Sequence, residues 1–596
     1  MEEIVVTDSV TTTSSEMRIG KERIITERSD TLSDVLSGVP GTVVTVGHKN
    51  SSEIMIRGFD SRDTLVMVDG RPVNGPYYGK SDLSTIGLSS IANIRIVKGA
   101  SSVRFGPNAM GGAVNIVTDD DNGSPVELHM SAGSGNDIRA DFTHRGRINT
   151  VGYIVHVGRR STDGFPLSSD FEGTSLEDGD SRDNSDYERT DISGKLLFGD
   201  HGDPTWKLKV GGSHLEKGLP SSIREARYWR FRKWDRLSVD IDGEPVNTGS
   251  FRLKTKLYAD RFFNELADYR DEQYDLSDVF WISTHDNRSA GLLLSSSYIP
   301  GENGVSNFGL QVRWDESRRR ADRGMGWYLN RTATTWLFAE HERFILPTLS
   351  VRGGLSGLLF SYDSWNTTIR DVNPSLHIEW LVHGTTLSAS MSRVSRFPTL
   401  HHLFSELSGN PDLETESADK FELSASRMIL PHTQLSVTSF VNRVRDMIYR
   451  SGRLGKYHNI EKASLDGVEI ESDFDNSIID LSAAVSMLDA RDSRSVRLEY
   501  RPRWKADMYA SYLLKNTIRI YCSGRVLGRR KTEAGNYLDS YHTANTGIIV
   551  VCGHGITASL HLKNLLDAYY EEEYGYPTPG RTAMIGLDWH WDKKAE

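Results

Sequence analysis

Three segments decide the fold: EIMIRGF at 53–59, TLVMVDGRPVN at 64–74 and IANIRIVKGASSVRFGPNAMGGAVNIVT at 91–118. Each combines a short run of β-branched and aliphatic residues with a turn that contains glycine. Such runs favour strands, and glycine marks the points at which a chain reverses direction. Together the three segments predict a small globular module whose strands are joined by tight turns.

The most apolar parts of these segments predict strands at 54–56, 65–68 and 114–117. The residues between the second and third strands, 83–91, are compatible with a helix. This order of elements indicates a module of mixed helix and sheet.

A second helix is predicted upstream, where DTLSDVLS occupies residues 30–37 and its apolar residues recur at helical spacing. Ser29 or Asp30 is the expected N-cap, and Gly38 is expected to end the helix. The apolar face of this helix is predicted to pack into the core of the module.

These motifs resemble the plug domain of TonB-dependent outer-membrane receptors, in which IRG, VDG and a KGASSVRFGPNAMGGAVNI-type segment occur in this order. The resemblance implies an all-β membrane protein, a 22-stranded antiparallel transmembrane β-barrel that is occluded by an N-terminal α+β plug. It divides the chain into a TonB box and flexible N-terminus at 1–16, a plug at 17–120 and a barrel at 121–596.

The composition agrees with a barrel. Hydrophobic residues are 37% of the chain, the mean hydropathy is −0.44, and no run of 18 apolar residues occurs, so no transmembrane helix is predicted. Barrel strands alternate lipid-facing and lumen-facing residues, which gives ordinary hydropathy together with many aromatic residues and glycines. The chain has 23 Tyr, 20 Phe, 12 Trp and 53 Gly, which fits this pattern.

Alternation with a period of two residues recurs after residue 120, for example at 151–158, 206–210 and 556–563. The same alternation occurs near the end of the sequence, at 582–591, where every second residue is apolar and two of these apolar residues are tryptophans. A final aromatic strand is the barrel-assembly signal in the family that the sequence resembles. This sequence departs from that signal because DKKAE follows Trp591.

The net charge of −11 argues against nucleic acid as a partner and suits cations. No Ser-His-Asp motif, phosphate-binding loop or cysteine metal spacing occurs, so the chain is not expected to be an enzyme. Cys522 and Cys552 lie in candidate strands that could neighbour each other, and the sequence leaves open whether they form a disulfide.

The N-terminal run EEIVVTDS at 2–9 is β-prone and lies beside a polar stretch. Such a run can add as a strand to the sheet edge of another protein, because backbone hydrogen bonds supply the affinity. It resembles the TonB box, which makes the TonB energy-transducing complex the expected partner. The residues expected to bind TonB are Glu3, Ile4, Val5, Val6 and Thr7.

A plug inside a barrel must be held shut and yet be movable, and buried ion pairs meet both needs. The resemblance implies a plug–barrel latch in which Arg57 and Lys98 face Glu422 and Glu469. Lysine cannot form the two-pronged carboxylate contact of arginine, so we expect the half of the latch at Lys98 to be looser. The alternative is that all four are ordinary solvated charges in the lumen.

The resemblance also places candidate substrate-binding residues. The loop at 72–80 is expected to face the external vestibule with Tyr77 and Tyr78, although an ordinary solvated turn has the same composition. Tyr574, Tyr576 and Arg581 match late-strand positions of the family, where contact with substrate and a place in the aromatic girdle are equally expected.

No cofactor is required, but two segments suggest metal binding. In the acidic loop between Thr162 and Asp191, the segment SRDNSDYERTD resembles the calcium-binding loop of cobalamin receptors, and Asp180, Asp183 and Asp186 are the candidate calcium ligands, with Asn184 as a fourth. An acidic loop of this kind is also often only solvated. The tandem His401–His402 suggests a metal or haem ligand, yet no partner for it is evident in the sequence.

The resulting functional hypothesis is TonB-dependent uptake of a scarce metal chelate across the bacterial outer membrane, with ferric siderophore and cobalamin as open alternatives. The sequence also leaves open a receptor for haem or another metal complex, and a non-transporting adhesin or porin. The expected partners are TonB, the chelate and outer-membrane lipopolysaccharide. The receptor is expected to be a monomer and not to bind nucleic acid.

Overall fold

A computed structural model describes residues 16–27, 31–47, 49–88, 90–99, 103–119, 123–200, 203–301, 304–362, 367–450, 455–533 and 535–591. The predicted TonB-binding residues, Glu3 to Thr7, lie outside the described residues. The same holds for the predicted plug–barrel boundary at 120/121 and for the five residues after Trp591.

The N-terminal domain is built on a five-stranded sheet with the order β1-β6-β7-β4-β5, in which only β4 and β7 run parallel, and β2 and β3 form a separate antiparallel pair. The predicted strands at 54–56, 65–68 and 114–117 are confirmed as parts of β3, β4 and β7. The elements are β1 (Glu16–Gly20), α1 (Lys21–Thr26), α2 (Leu32–Ser37), β2 (Thr42–Val46), β3 (Ser52–Ile56), β4 (Thr64–Val68), β5 (Arg71–Pro72), β6 (Ile91–Lys98) and β7 (Gly112–Thr118).

The predicted helix at 30–37 is present as α2, but its predicted cap was wrong. The N-cap is Thr31, whose hydroxyl accepts a hydrogen bond from the backbone N–H of Asp34, while the Asp34 carboxylate accepts one from the Thr31 N–H. This reciprocal arrangement satisfies two backbone donors, so Thr31, and not Ser29 or Asp30, begins the helix.

The predicted helix at 83–91 was also wrong. Only one 3-10 turn forms, Leu83–Thr85, and β6 begins at Ile91. The reason is tertiary packing: Leu83, Leu88 and Ile91 are all buried in the plug core, together with residues of α2, β3 and β7. A helix would turn Leu83 and Leu88 about 140° apart, so it would not point both of them into this core.

The rest of the chain forms a closed barrel of 22 antiparallel strands, which confirms the predicted fold class. Each strand pairs with its neighbours in sequence, and the last strand closes the barrel against the first. The first barrel strands are β8 (Val126–Gly133), β9 (Asp137–Ile148), β10 (Val151–Thr162), β11 (Tyr187–Asp200), β12 (Asp203–Leu219), β13 (Trp229–Asn247), β14 (Phe251–Tyr269), β15 (Val279–Gly301), β16 (Gly304–Arg320), β17 (Tyr328–Leu346) and β18 (Leu349–Tyr362).

The remaining barrel strands are β19 (Thr367–Val382), β20 (Thr385–Arg396), β21 (Glu416–Leu430), β22 (Thr433–Arg450), β23 (Tyr457–Asp475), β24 (Ile479–Asp492), β25 (Trp504–Leu514), β26 (Ile518–Leu527), β29 (Tyr541–Gly553), β30 (Ile556–Lys563) and β33 (Thr582–Trp591). The loops carry short elements of their own: α3 (Leu400–Phe404), β27 (Arg530–Lys531), β28 (Tyr537–Leu538), β31 (Glu571–Glu573) and β32 (Tyr576–Pro577).

Burial alternates along the barrel strands as the sequence predicts. In β33 the apolar face is exposed, with Ile585 and Leu587 exposed by 66% and 47%, and this face is the one that lipid covers. Short turns join the strands at one end of the barrel, and long loops join them at the other end. In barrels of this kind the short turns are periplasmic and the long loops are extracellular. None of the described helices is long and apolar enough to cross a membrane. Cys522 and Cys552 are both free thiols.

The plug sheet depends on one close approach of two strands. Gly112 has φ +139°, and a Cβ at this position would collide with the carbonyl oxygen of Val97 on β6. We therefore expect Gly112→Ala to lower the opening free energy of β6 and β7 by roughly 1–3 kcal/mol. Amide hydrogen exchange of the purified receptor measures this energy.

The matched control is Gly357→Ala on β18, where an added Cβ meets nothing within 4 Å. Exchange of the plug should be unchanged in this variant. If amide hydrogen exchange of β6 and β7 were equal in Gly112→Ala and Gly357→Ala, the steric requirement for glycine at position 112 would be contradicted.

Candidate functional site

The centre of the plug–barrel contact is Arg57, which follows β3 in a left-handed conformation with φ +50°. Its Nε and Nη2 each donate to one oxygen of Glu469 at 2.9 Å, and its Nη1 donates to Glu422. The three side chains are at most 3% exposed. A single guanidinium thus joins the plug to two strands of the barrel, β21 and β23.

Lys98, at the end of β6, completes this cluster. Its ammonium group lies 3.0 Å from Glu469, 3.1 Å from Glu471 and 3.0 Å from the carbonyl oxygen of Pro40. The structure therefore brings together all four residues of the predicted latch and buries them. Glu471 was missed, although the sequence VEIE places it on the same strand face as Glu469.

The two plug cations stay charged despite their burial. Burial alone would lower the pKa of Arg57, but the charges of Glu469 and Glu422 outweigh it and raise that pKa. Burial likewise opposes the charge of Lys98, and Glu469 and Glu471 outweigh it, so its pKa is raised. An uncompensated charge in this position would be far more costly than the pair.

Other buried ion pairs hold the plug at different parts of the wall. Arg71 of β5 donates to Asp240 on β13 and to Asp260 on β14, each at 2.9 Å. Arg104 of the plug donates to Glu340 on β17 at 2.7 Å. The plug is therefore joined by its cations to strands that lie far apart around the barrel.

Above these contacts, Tyr77 and Tyr78 meet two histidines of the barrel. The ring of Tyr77 lies 5.2 Å from that of His285 and 5.3 Å from that of His401, and the ring of Tyr78 lies 5.0 Å from that of His401. The backbone N–H of His401 donates to the Tyr77 carbonyl at 2.9 Å. We call Tyr77, Tyr78, His285 and His401 the apical cluster.

The tandem histidines have different surroundings. His402 lies in the first turn of α3, where Thr399 and His402 form a reciprocal cap, and its ring packs 4.6 Å from that of Tyr457. Burial, and then the charges of Arg62 and Lys49, lower the pKa of His401 to about 3. His401 is therefore neutral, and its buried Nδ1 has no hydrogen-bond partner within the described part of the chain.

Cations border the apical cluster. The ammonium group of Lys49 lies 4.8 Å from the centre of the Tyr78 ring, and the guanidinium of Arg319 lies 5.2 Å from that of Tyr77. Arg319 is paired with the exposed Glu406 at 3.2 Å. Burial raises the pKa of Tyr77, so its hydroxyl is protonated. The cluster therefore presents aromatic faces in a positive electrostatic environment.

The other predicted substrate residues lie elsewhere among the loops. Tyr574 packs 4.3 Å from the guanidinium of Arg224, and Tyr576 lines a cavity of about 220 Å³ beside Lys217. The backbone N–H of Arg581 donates to Asp567 at 2.7 Å. Within the described residues, none of these three forms a hydrogen bond or ring contact with the apical cluster.

The acidic loop does not present a preformed calcium site in the described part of the chain. Arg230 donates to both Asp186 and Asn184 at 2.7 Å, so a guanidinium engages two of the four predicted ligands. Burial, and then the charge of Asp178, raise the pKa of Asp183. Across residues 16–591, excluding the undescribed gaps, no group of three His, Cys, Asp or Glu side chains is arranged to hold a metal.

A closed barrel filled by a domain that ion pairs hold in place defines the class of plugged outer-membrane receptors. Comparison with known families agrees, because the description "TonB-dependent Receptor Plug Domain" matches residues 8–113 and "TonB dependent receptor-like, beta-barrel" matches residues 133–565. The chain belongs to the family of TonB-dependent receptors, which are outer-membrane transporters and not enzymes.

Two curated relatives are vitamin B12 transporters named BtuB. That of Vibrio vulnificus (strain YJ016) is 22% identical over 94% of this chain and 88% of its own. That of Vibrio cholerae (serotype O1, strain O395) is 24% identical over 96% of this chain and 92% of its own. Both alignments span nearly the whole chain, so the similarity covers plug and barrel.

Among solved structures, the copper transporter OprC superposes with a TM-score of 0.85 at 16% identity, covering 97% of this chain and 99% of that one. The siderophore receptor PirA of Acinetobacter baumannii superposes with a TM-score of 0.79 at 16% identity, covering 97% and 98%. At this identity the comparison supports the fold and leaves the substrate open.

The ion-pair cluster predicts the effect of removing its central residue. Arg57→Ala would leave Glu422 and Glu469 buried without their guanidinium, which costs roughly 3–5 kcal/mol. We expect the opening free energy of the plug to fall by this amount, as measured by hydrogen exchange, and ion leakage through planar bilayers to increase.

The control is Arg159→Ala, which breaks an ion pair with Glu188 whose side chains are 63% and 55% exposed. Such pairs contribute about 0–1 kcal/mol, so this variant should behave like the parent protein. A tight, slowly exchanging plug in Arg57→Ala would contradict the predicted latch.

Proposed function

We propose that this TonB-dependent transporter imports an anionic metal chelate of the ferric siderophore class, which binds at the apical cluster. The observation that carries the proposal is the positive environment of the two tyrosines and two histidines. Lys49, Arg62, Arg319 and Arg450 all act on His401 as positive charges. Long-range attraction between such a site and an anion concentrates the ligand at the entrance.

The chemistry of the cluster favours some ligands over others. Tyrosine and neutral imidazole rings present flat faces for stacking against aromatic groups. A bare metal cation would be repelled by the surrounding ammonium and guanidinium groups, whereas a chelate with several negative charges would be attracted. The buried Nδ1 of His401 is an acceptor that a ligand can satisfy.

Cobalamin is the second candidate, and the vitamin B12 transporters among the curated relatives favour it. Cyanocobalamin is neutral overall, so the cations around the apical cluster offer it no electrostatic advantage. Haem is a third, narrower alternative, because neutral His and Tyr side chains are its common axial ligands. These three ligands can be separated by charge and by spectroscopy.

In the proposed transport cycle, the chelate binds from outside between the plug loop at 72–80 and the barrel. Binding releases the TonB box at Glu3 to Thr7 to the periplasm, where the inner-membrane energy complex pulls on it. Pulling breaks the ion pairs of Arg57 and Lys98 and displaces the plug. The chain thus performs binding and mechanical gating, without making or breaking covalent bonds.

We expect Tyr78→Ala and Lys49→Gln each to weaken binding of a ferric catecholate chelate by about tenfold or more, the loss that is typical of a residue at the centre of an interface. Tyr78 is the better aromatic target because it is 37% exposed, whereas Tyr77 is 2% exposed and contributes to packing. Fluorescence quenching by ferric enterobactin, haemin and cyanocobalamin measures the affinities.

The matched control is Tyr537→Ala, which removes another exposed tyrosine that lies 5.1 Å from an arginine, Arg529, in a different loop. It should bind like the parent protein. Tight binding of cyanocobalamin alone, unaffected by Lys49→Gln, would overturn the siderophore proposal and favour cobalamin. Uptake by cells that survives deletion of residues 2–9 would contradict energised transport for any of the three ligands.

A further inference from the structure

A second group of buried charges joins the plug to the extracellular end of β20 and β21. Its centre is Arg396, the last residue of β20, whose Nε lies 2.8 Å from Asp63 of the plug and whose Nη2 contacts Glu416, the first residue of β21. Arg396, Asp63 and Glu416 are 4%, 7% and 2% exposed. One guanidinium thus serves two carboxylates, one on the plug and one on the wall. We call Asp63 and Glu416 the carboxylate pair.

The carboxylate pair lies on the extracellular side of the hydrocarbon region. On the outer face of β20 and β21, Met391 and Phe421 lie opposite each other, and each is 48% exposed. The next outward-facing pair toward the extracellular end is Arg393 and Asp419, which form an ion pair at 2.8 Å. Apolar side chains on the outer face meet the acyl chains, and charged side chains on that face are costly within them. The end of β20 and the start of β21 therefore lie outside the hydrocarbon region.

Two loops of the plug dock against this part of the wall. The carbonyl oxygen of Asp63 accepts a hydrogen bond from the backbone N–H of Gly111 at 2.8 Å, which joins the two loops. The ammonium group of Lys420 on β21 donates to the carbonyl oxygen of Met110 at 2.7 Å. Opening of the plug must therefore separate Asp63 from the wall and leave its two wall partners behind.

The other charged groups around the carboxylate pair have partners of their own. On the plug, Arg62 pairs with Asp60 at 3.4 Å. Arg501 in the loop before β25 donates to two backbone carbonyl oxygens, and Lys420 donates to another. Burial, and then the charges of two nearby arginines, lower the pKa of His402 in α3, so its ring is neutral. In the described part of the chain, the carboxylate pair has a single ion-pair partner, the guanidinium at the end of β20.

Two ionised carboxylates beside one guanidinium would leave a negative charge buried away from bulk water, which is costly. Burial raises the pKa of Glu416 to about 7 against the charge of Arg396, and the charge of Asp63 adds to the rise. Burial also raises the pKa of Asp63 against the charge of Arg396, and Asp60 adds to that rise. A single proton held by the two carboxyl groups leaves one negative charge to match one positive charge.

We propose that the carboxylate pair holds one shared proton while the plug is docked and releases it to water when the plug opens. The docked contact is then a second lock of the plug, beside that of Arg57. Opening moves Asp63 away from Glu416, and both carboxyl groups then return toward their ordinary acidity and ionise at neutral pH. Plug opening is therefore coupled to the loss of a proton. This coupling needs no ligand, so its test is independent of the siderophore proposal.

The docked plug binds the extra proton, so acid favours the docked state. The free energy of opening should be greatest below the ordinary pKa of glutamate, 4.5, and should fall as the pH rises to about 7. Within this range the equilibrium constant for opening should increase by up to about tenfold per pH unit, and above it the constant should level off. Amide hydrogen exchange of β3 and β4 in the full-length receptor, corrected for the pH dependence of intrinsic exchange, measures this constant.

The deciding variant is Glu416→Gln, which replaces the wall carboxyl group by a neutral amide of similar size and leaves Asp63 alone with Arg396. We expect the pH dependence to be largely lost. At about pH 7.5 this variant should open no more readily than the parent protein, because the unfavourable second charge is gone. An ordinary salt bridge predicts the reverse, since loss of Glu416 would make opening easier at every pH. Asp63→Asn is the second variant and should flatten the same profile from the plug side.

The matched control is Glu340→Gln, which removes a buried wall carboxylate that Arg104 of the plug contacts. It should open more readily than the parent protein at every pH and keep the pH profile of the parent. Heat-modifiable migration in gels confirms that each variant forms a barrel. An opening constant of the parent that is the same at about pH 5.5 and about pH 7.5, or a folded Glu416→Gln receptor that keeps the profile of the parent, would overturn the proposal.

Discussion

The buried contact of Arg57 with Glu469 and Glu422 is the interaction on which the rest of the structure depends. A plug inside a closed barrel places cations where bulk water is excluded, and these charges are tolerable only if the wall supplies carboxylates at matching positions. Those carboxylates lie on β21 and β23, hundreds of residues away in sequence. The plug fits only when the barrel has closed in the correct register.

Charged side chains have different partners at different depths of the molecule. Buried pairs such as Arg57–Glu469 and Arg71–Asp240 join the plug to the wall. The apical cluster lies above them and has neutral rings bordered by cations. Positive charge thus holds the plug against the wall and also surrounds the apical cluster.

Much of this arrangement was predictable from the sequence because it depends on local patterns. The glycine-rich motifs identified the plug, period-two alternation identified the barrel, and the four residues Arg57, Lys98, Glu422 and Glu469 were found by motif. His285 was missed, because a lumen-facing histidine in a long strand has no local signature. The helix expected at 83–91 does not form, because burial of Leu83, Leu88 and Ile91 in the plug core outweighs the local helical pattern. The pairing of Asp186 with Arg230 was not predictable either, because the two residues are far apart in the sequence and meet only when the barrel forms.

The most direct test is a double-mutant cycle on Arg57→Ala and Glu469→Ala, with the opening free energy of the plug measured by hydrogen exchange. We expect a coupling energy of at least about 1.5 kcal/mol, as found for close, desolvated charge pairs. The same cycle on the exposed pair Arg159 and Glu188 should give about 0.2–1 kcal/mol. A coupling for Arg57 and Glu469 as small as that of the exposed pair would contradict a plug held in place by this buried contact.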